Sequence, residues 1–259
     1  MTWTTRPRSE FGELAAVDAG EGPLVILLHG VGLRAEAWGG QIKPLVSAGY
    51  RVLCPDMPGH GETPFAAVDG LDSYAAPVAE LIQEPAVLIG HSMGALIATH
   101  ITASGNPNVK GIAALNAIFQ RPETARQAVL SRAHTLDETK PNDASVTLQR
   151  WFAEVVSAER DACARWLNEV DPCAYKAAYT VFAESDGPTK AQLAAIHCPA
   201  LFLTGADEPN STPQMSRGMA DLAPHGRAEI IPNAAHMMPM THADVVNTIL
   251  LRFLQECLP

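Results

Sequence analysis

The stretch Ala86-Val87-Leu88-Ile89-Gly90-His91-Ser92-Met93-Gly94-Ala95-Leu96-Ile97-Ala98 decides the fold. An apolar run ends in G-x-S-x-G, and a helix-forming run follows at once. A short apolar run closed by glycine reads as a strand, and the longer run after it reads as a helix. A turn that carries the chain directly from strand to helix is sharp enough to strain the serine's backbone. Glycines two residues before and two residues after the serine remove Cβ atoms that would otherwise collide there. The result is a serine hydroxyl held above the edge of a sheet, with a helix N-terminus beneath it, which is the nucleophile elbow.

Outward from this turn, the chain alternates between short apolar runs and helical patterns. Strands are expected over 24–28, 50–54, 86–89, 109–116, 200–203 and 228–231. Their near-continuous apolar character marks strands covered on both faces, as in a parallel sheet. Helices are expected over 41–48, 73–83, 93–104, 212–222 and 243–258. Such alternation builds βαβ units, so the fold class is α/β with a doubly wound, mostly parallel sheet. Chemistry in such a sheet gathers at the carboxyl ends of its strands. The segment 118–187 breaks the rhythm, with helical patterns and no convincing strand. It reads as a helical cap inserted after the strand that follows the elbow, leaving 1–117 and 188–259 as the core domain.

Composition narrows the function classes. The 259 residues are 47% hydrophobic and 18% charged, with a formal net charge of −10. An acidic surface repels phosphate backbones and anionic lipid, so neither nucleic acid nor membrane is an expected partner. The N-terminus has no apolar core of the kind a signal peptide needs, and runs such as Leu24–Leu28 are too short to span a bilayer. A cytoplasmic protein acting on a small molecule is expected, and a homo-oligomer is compatible with the chain. Cys54, Cys163, Cys173, Cys198 and Cys257 contain no C-x-x-C pair, so neither a disulfide framework nor a zinc site is suggested.

Serine attacks poorly until a base takes its proton, and histidine suits that task. Of nine histidines, His236 follows the last strand and precedes the C-terminal helix, on the same sheet edge as Ser92. A base of this kind needs a carboxylate to orient it. Asp207, in Thr204-Gly205-Ala206-Asp207, follows the strand at 200–203 and gives the order Ser, Asp, His expected of this architecture. Glu208 is adjacent, but a shift of one residue in the turn should point it elsewhere. The strand after the elbow ends in Leu115-Asn116-Ala117, without a carboxylate, which also favours Asp207. Acyl transfer builds charge on an oxygen, and backbone N–H groups should meet it. Met93, at the positive end of the elbow helix, is one expected donor, and Val31 in His29-Gly30-Val31-Gly32 is the other. Asp56 and His60, in the Gly-rich turn 56–63, are assigned a structural role rather than a metal. Trp38, Trp151 and Tyr175 are candidate pocket-lining residues, and His91 is a candidate for the pocket floor. Arg34 and Arg150 are candidates to meet a substrate carboxylate.

These residues resemble the α/β-hydrolase superfamily. The resemblance rests on His29-Gly30, Asp56 with Gly59-x-Gly61, Gly90-x-Ser92-x-Gly94, Gly205-x-Asp207 and His236, in that order, and covers about residues 10–117 and 188–259. Ala95 stands where many members have a second glycine, and Thr63 where many have serine. The cap, with Arg150-Trp151-Phe152, Asp171-Pro172-Cys173-Ala174-Tyr175 and Ala183-x-x-Asp186, is similar to that of 3-oxoadipate enol-lactonases. The resemblance implies no cofactor and no metal. It implies a serine hydrolase that cleaves a small carboxylic ester or lactone through Ser92, His236 and Asp207 and an acyl-enzyme. Alternatives on the same machinery are a carbon–carbon bond hydrolase of a ring-cleavage product, an acyltransferase and a cofactor-free perhydrolase. A receptor that has lost catalysis is a further reading, weakened by the presence of all three candidate residues.

Overall fold

The computed structural model describes residues 2–141 and 143–258. The elements run in the order β1 (Ser9–Phe11), β2 (Leu14–Ala19), β3 (Leu24–Leu28), a 3₁₀ turn (Ala35–Trp38), α1 (Gly39–Ser47), β4 (Arg51–Pro55), α2 (Asp72–Glu80), β5 (Ala86–His91), α3 (Met93–Ala103) and β6 (Val109–Leu115). Helices α4 (Glu123–Thr135), α5 (Ser145–Phe152), α6 (Ala158–Glu169), α7 (Pro172–Glu184) and α8 (Lys190–Ala194) follow without a strand among the described residues. The chain then returns to the sheet with β7 (Ala200–Gly205), α9 (Pro213–Leu222), β8 (Gly226–Ile231), α10 (Met238–Thr241) and α11 (Ala243–Cys257).

The strands form one eight-stranded sheet in the order β1-β2-β4-β3-β5-β6-β7-β8. From β4 to β8 all pairings are parallel, and β1 and β2 add an antiparallel edge. The α/β class and the mostly parallel doubly wound sheet therefore stand as expected. The antiparallel edge adds two strands to those expected from the sequence. Its strands, Ser-Glu-Phe and Leu-Ala-Ala-Val-Asp-Ala, are short and carry neither a continuous apolar run nor a clean alternation.

Side chains alternate across each strand, so every central strand feeds two cores. Ile26, Leu28, Leu88, Ile112 and Phe202 face one side, with Ile97 of α3, Leu193 of α8 and Met219 of α9. Val25, Leu27, Val87, Ile89, Leu201 and Leu203 face the other, with Ile42 and Leu45 of α1 and Val246, Leu250 and Phe253 of α11. A third cluster joins the helical segment to the sheet edge. Leu148, Phe152, Trp166, Leu167 and Tyr179 of the segment pack with Leu33, Ala37, Met237 and Met240, which come from loops and short helices at the carboxyl end of the sheet. Among the described residues no helix is long and apolar enough to cross a membrane.

Candidate active site

The elbow is built by sterics. Ser92 sits at φ 56° and ψ −116°, a region where residues with a Cβ are rare. A Cβ on Gly90 would collide with the carbonyl of Gly94, and one on Gly94 would collide with the carbonyl of Leu28. The strain is held from outside, because the Ser92 N–H donates to the Leu115 carbonyl of β6 (2.9 Å). Met93 opens α3, so its N–H has no acceptor within the helix. The His29–Gly32 loop abuts the elbow, since a Cβ on Gly30 would lie 3.1 Å from the Cβ of Ser92.

His236 enters from the loop after β8. Ser92 and His236 line one cavity of about 720 Å³, together with Gly30 and Val31. The carboxylate that meets His236 is Glu208, not the Asp207 expected from the sequence. His236 Nδ1–H donates to Glu208 Oε2 at 2.9 Å. The phase of the turn explains the correction. The Asp207 N–H donates to the Ala234 carbonyl (2.9 Å), which ties that residue's backbone to the neighbouring loop and leaves its side chain exposed. Glu208 is then turned inward, where Oε1 also accepts the N–H groups of Asn210 (2.7 Å) and Ser211 (3.3 Å). Burial alone would raise the Glu208 carboxyl, but His236 and these two N–H groups outweigh it and hold the group down at about 2.

Two residues brace the backbone of His236. Its carbonyl accepts from His91 Nε2–H (2.8 Å) and from Asn116 Nδ2 (2.9 Å). Asn116 follows β6 in the left-handed region, at φ 50°, a conformation asparagine tolerates well. Burial, with the adjacent His236, pushes the His91 imidazole down to about 3, so it stays a neutral donor. His91 therefore lies behind the backbone of His236 rather than on the pocket floor. Trp38 also falls outside the cavity lining. It is 1% exposed and packs edge-on to His91 in the core. Arg34 is turned away and pairs with Glu36 (3.1 Å) and Glu169 (3.3 Å). Asp56 and His60 hold backbone. Asp56 accepts from Ala35 N–H and Glu62 N–H and pairs with Arg8, while His60 Nε2 accepts the Gly32 N–H (3.0 Å).

Trp151, Tyr175 and Arg150 do line the cavity. Trp151 stacks on the His236 ring, with centroids 5.5 Å apart and planes 21° from parallel. Two further arginines, Arg121 and Arg132, are among its lining residues and are not among the sequence candidates. Arg121 is buried over the Phe182 ring and donates to the carbonyls of Ser185 and Phe182. Burial pulls it down to about 10, against the opposing charge of Asp186. Arg132 donates to Thr147 Oγ1 (2.8 Å) and lies over Tyr179. Among the described residues, neither Arg132 nor Arg150 has an ion-pair partner. The only available signal in the sequence was the cluster of arginines in a segment placed over the sheet edge, and helix phase alone does not say which of them turn inward.

Comparison with known proteins agrees with the fold. Residues 25–249 match the Alpha/beta hydrolase family. The chain is 39% identical over 245 residues to the (E)-2-((N-methylformamido)methylene)succinate hydrolase of Acinetobacter baylyi, covering 92% of each chain. It is 29% identical to a pimeloyl-[acyl-carrier protein] methyl ester esterase of Chromobacterium violaceum, covering 86% of this chain and 91% of the relative. Its structure superposes on a thermophilic esterase from Thermogutta terrifontis with a TM-score of 0.82 at 22% identity, covering 98% and 99% of the two chains. The chain belongs to the alpha/beta hydrolase family and is a hydrolase.

Proposed function

We propose that this hydrolase cleaves the acyl bond of a small carboxylate-bearing substrate, an ester, a lactone or an N-acyl enamine. Ser92 is the nucleophile, His236 the base and Glu208 the carboxylate that orients it. The observation that carries this reading is that Ser92 and His236 share one cavity with Arg121, Arg132 and Arg150, the last two without an ion-pair partner among the described residues. In a chain of net charge −10, arginines lining one cavity, two of them without an ion-pair partner among the described residues, favour an anionic ligand. The relative from Acinetobacter baylyi is named for a substituted succinate, which carries two carboxylates beside an N-acyl group.

Ser92 Oγ adds to the acyl carbonyl while His236 Nε2 takes its proton. Glu208 stabilises the imidazolium and keeps Nδ1–H pointed at itself. The N–H groups of Met93 and Val31 meet the developing oxyanion. The C–O or C–N bond then breaks, and the imidazolium gives its proton to the leaving atom. Water adds to the acyl-enzyme by the same route and frees the acid. The helices over 118–187 act as a cap that excludes bulk water and supplies the carboxylate contacts.

A panel of paired substrates tests the reading. Hydrolysis of p-nitrophenyl acetate, of p-nitrophenyl hydrogen succinate and of an N-acyl aminomethylene succinate should all vanish in Ser92→Ala, with a loss of about 10⁴-fold or more. Arg132→Gln and Arg150→Gln should raise KM for the two carboxylate substrates by about tenfold each while leaving acetate unchanged. Equal effects on charged and neutral substrates would remove the anion site from the proposal, and activity surviving in Ser92→Ala would remove the nucleophile.

A further inference from the structure

The His236 imidazole carries an aromatic face from the other side of the cavity. Trp151 belongs to α5 of the helical segment, whereas His236 belongs to the sheet edge, and 85 positions of sequence separate them. The two rings lie nearly parallel, 21° apart, at a centroid distance of 5.5 Å. At that distance and tilt the negative face of the indole meets the imidazole plane. An imidazolium over an indole face is attracted by the ring quadrupole, and tryptophan is the strongest of the aromatic partners.

We propose that Trp151 is a positioning residue for His236, holding the ring in plane by stacking and stabilising the imidazolium that forms during acyl transfer. The proposal rests on His236 being the base. The groups around the ring frame the claim. Glu208 faces Nδ1 at 2.9 Å and favours the charged form, and His91, 4.9 Å away on β5, is held neutral by burial. Arg121, Arg132 and Arg150 line the same cavity and oppose a further positive charge there. Among the described residues the indole is the one uncharged group stacked on the ring that favours imidazolium without competing for a proton, and it links cap placement to the readiness of the base.

A plain lining role for Trp151 depends on apolar bulk, which leucine and phenylalanine both supply. A stacking role depends on a π face, which phenylalanine keeps and leucine loses. Trp151→Leu should therefore lower kcat on the order of tenfold with KM for p-nitrophenyl acetate little changed, while Trp151→Phe stays within about threefold of the parent. A second readout needs no turnover. Imidazolium quenches a stacked indole, so the emission of the wild type minus that of Trp151→Phe should fall as pH drops through the acid limb of the kcat/KM profile. That fall should disappear in His236→Asn. Equal kcat losses in the leucine and phenylalanine variants, or a difference emission flat across the acid limb, would overturn the proposal. Should activity persist in Ser92→Ala, the reading of the reaction fails while the emission titration still reports the stack.

Discussion

The carboxyl edge of the sheet and the helical segment over 118–187 meet at one cavity but are built on opposite plans. At the sheet edge several buried polar side chains are held by specific partners. His29 and His60 each accept a backbone N–H at Nε2 and bond a carbonyl through Nδ1–H. Arg8 bridges the buried carboxylates of Glu36 and Asp56. Across the cavity, Arg132 and Arg150 face it with no ion-pair partner among the described residues, and Val155 and Val156, in the loop between α5 and α6, are exposed. On the proposed reading, the difference separates two tasks. Bond-making geometry needs backbone fixed from several sides, which parallel strands supply. Recognition needs cations left available, which helices packed over the edge can offer at little cost to the sheet.

The comparison breaks most sharply at Glu208. If the fixed edge is the source of catalysis, Glu208→Gln should keep the fold and the His236 hydrogen bond yet lose about 10²–10⁴-fold in kcat, because the imidazolium loses its counter-charge. Steady-state kinetics on p-nitrophenyl acetate, with circular dichroism as the control for folding, reads this directly. A loss under threefold would mean that His236 does not need the charge, and the division of labour would have to be redrawn.

How much of this edge was legible from the chain depends on whether local sterics or a distant partner sets the position. Ser92 could be placed because the glycines at 90 and 94 answer to collisions within the turn itself. His236 could be placed on the right edge because strand order alone puts the loop after β8 there. The choice between Asp207 and Glu208 could not be read, because it is set by the bond from Asp207 N–H to Ala234, which lies in another loop. Asn116 was noted only for lacking a carboxylate. Its amide instead reaches the His236 carbonyl, a contact 120 positions away that no local pattern encodes. Arg132 shows the same limit on α4, whose inward face is chosen by tertiary packing, and Arg121, just before α4, is held by the distant carbonyls of Ser185 and Phe182.

Acid should expose the contrast next, as a change in stability rather than in rate. His60 and His91 are pushed by burial from 6.5 to about 3, and His29 is lowered by the same cause. Between the ordinary and the shifted values the unfolded chain binds protons that the folded chain refuses, so stability falls as pH drops below about 6.5. Glu208, held at about 2 against an ordinary 4.5, adds a loss of the same sign below about 4.5. All four groups lie at the sheet edge, whereas His134 of the helical segment is exposed. The melting temperature should therefore decline steadily from pH 7 to pH 4, and His60→Gln should flatten that slope. A melting temperature constant over this interval would mean that the buried imidazoles titrate normally.

The smallest expected effect tests the comparison most finely. Asp207 and Glu208 are adjacent carboxylates in one turn, and only the second faces the cavity side. Asp207 is exposed, so its charge is screened by solvent and contributes little to a group it does not touch. What its position does contribute is the backbone bond to Ala234, which any non-proline residue can make. Asp207→Asn should accordingly leave kcat and KM within about twofold of the parent and the melting temperature within a degree or two, since surface changes away from packed features cost about 0.5 kcal/mol or less. Asp207→Pro removes the N–H and should lower kcat by letting the turn, and Glu208 with it, lose its phase. If the asparagine variant instead lost as much activity as Glu208→Gln, the turn would have to adopt the other phase in solution, with the carboxylates exchanging places. The contrast between a fixed edge and an adaptable cover would then fail at the residue where it is drawn most narrowly.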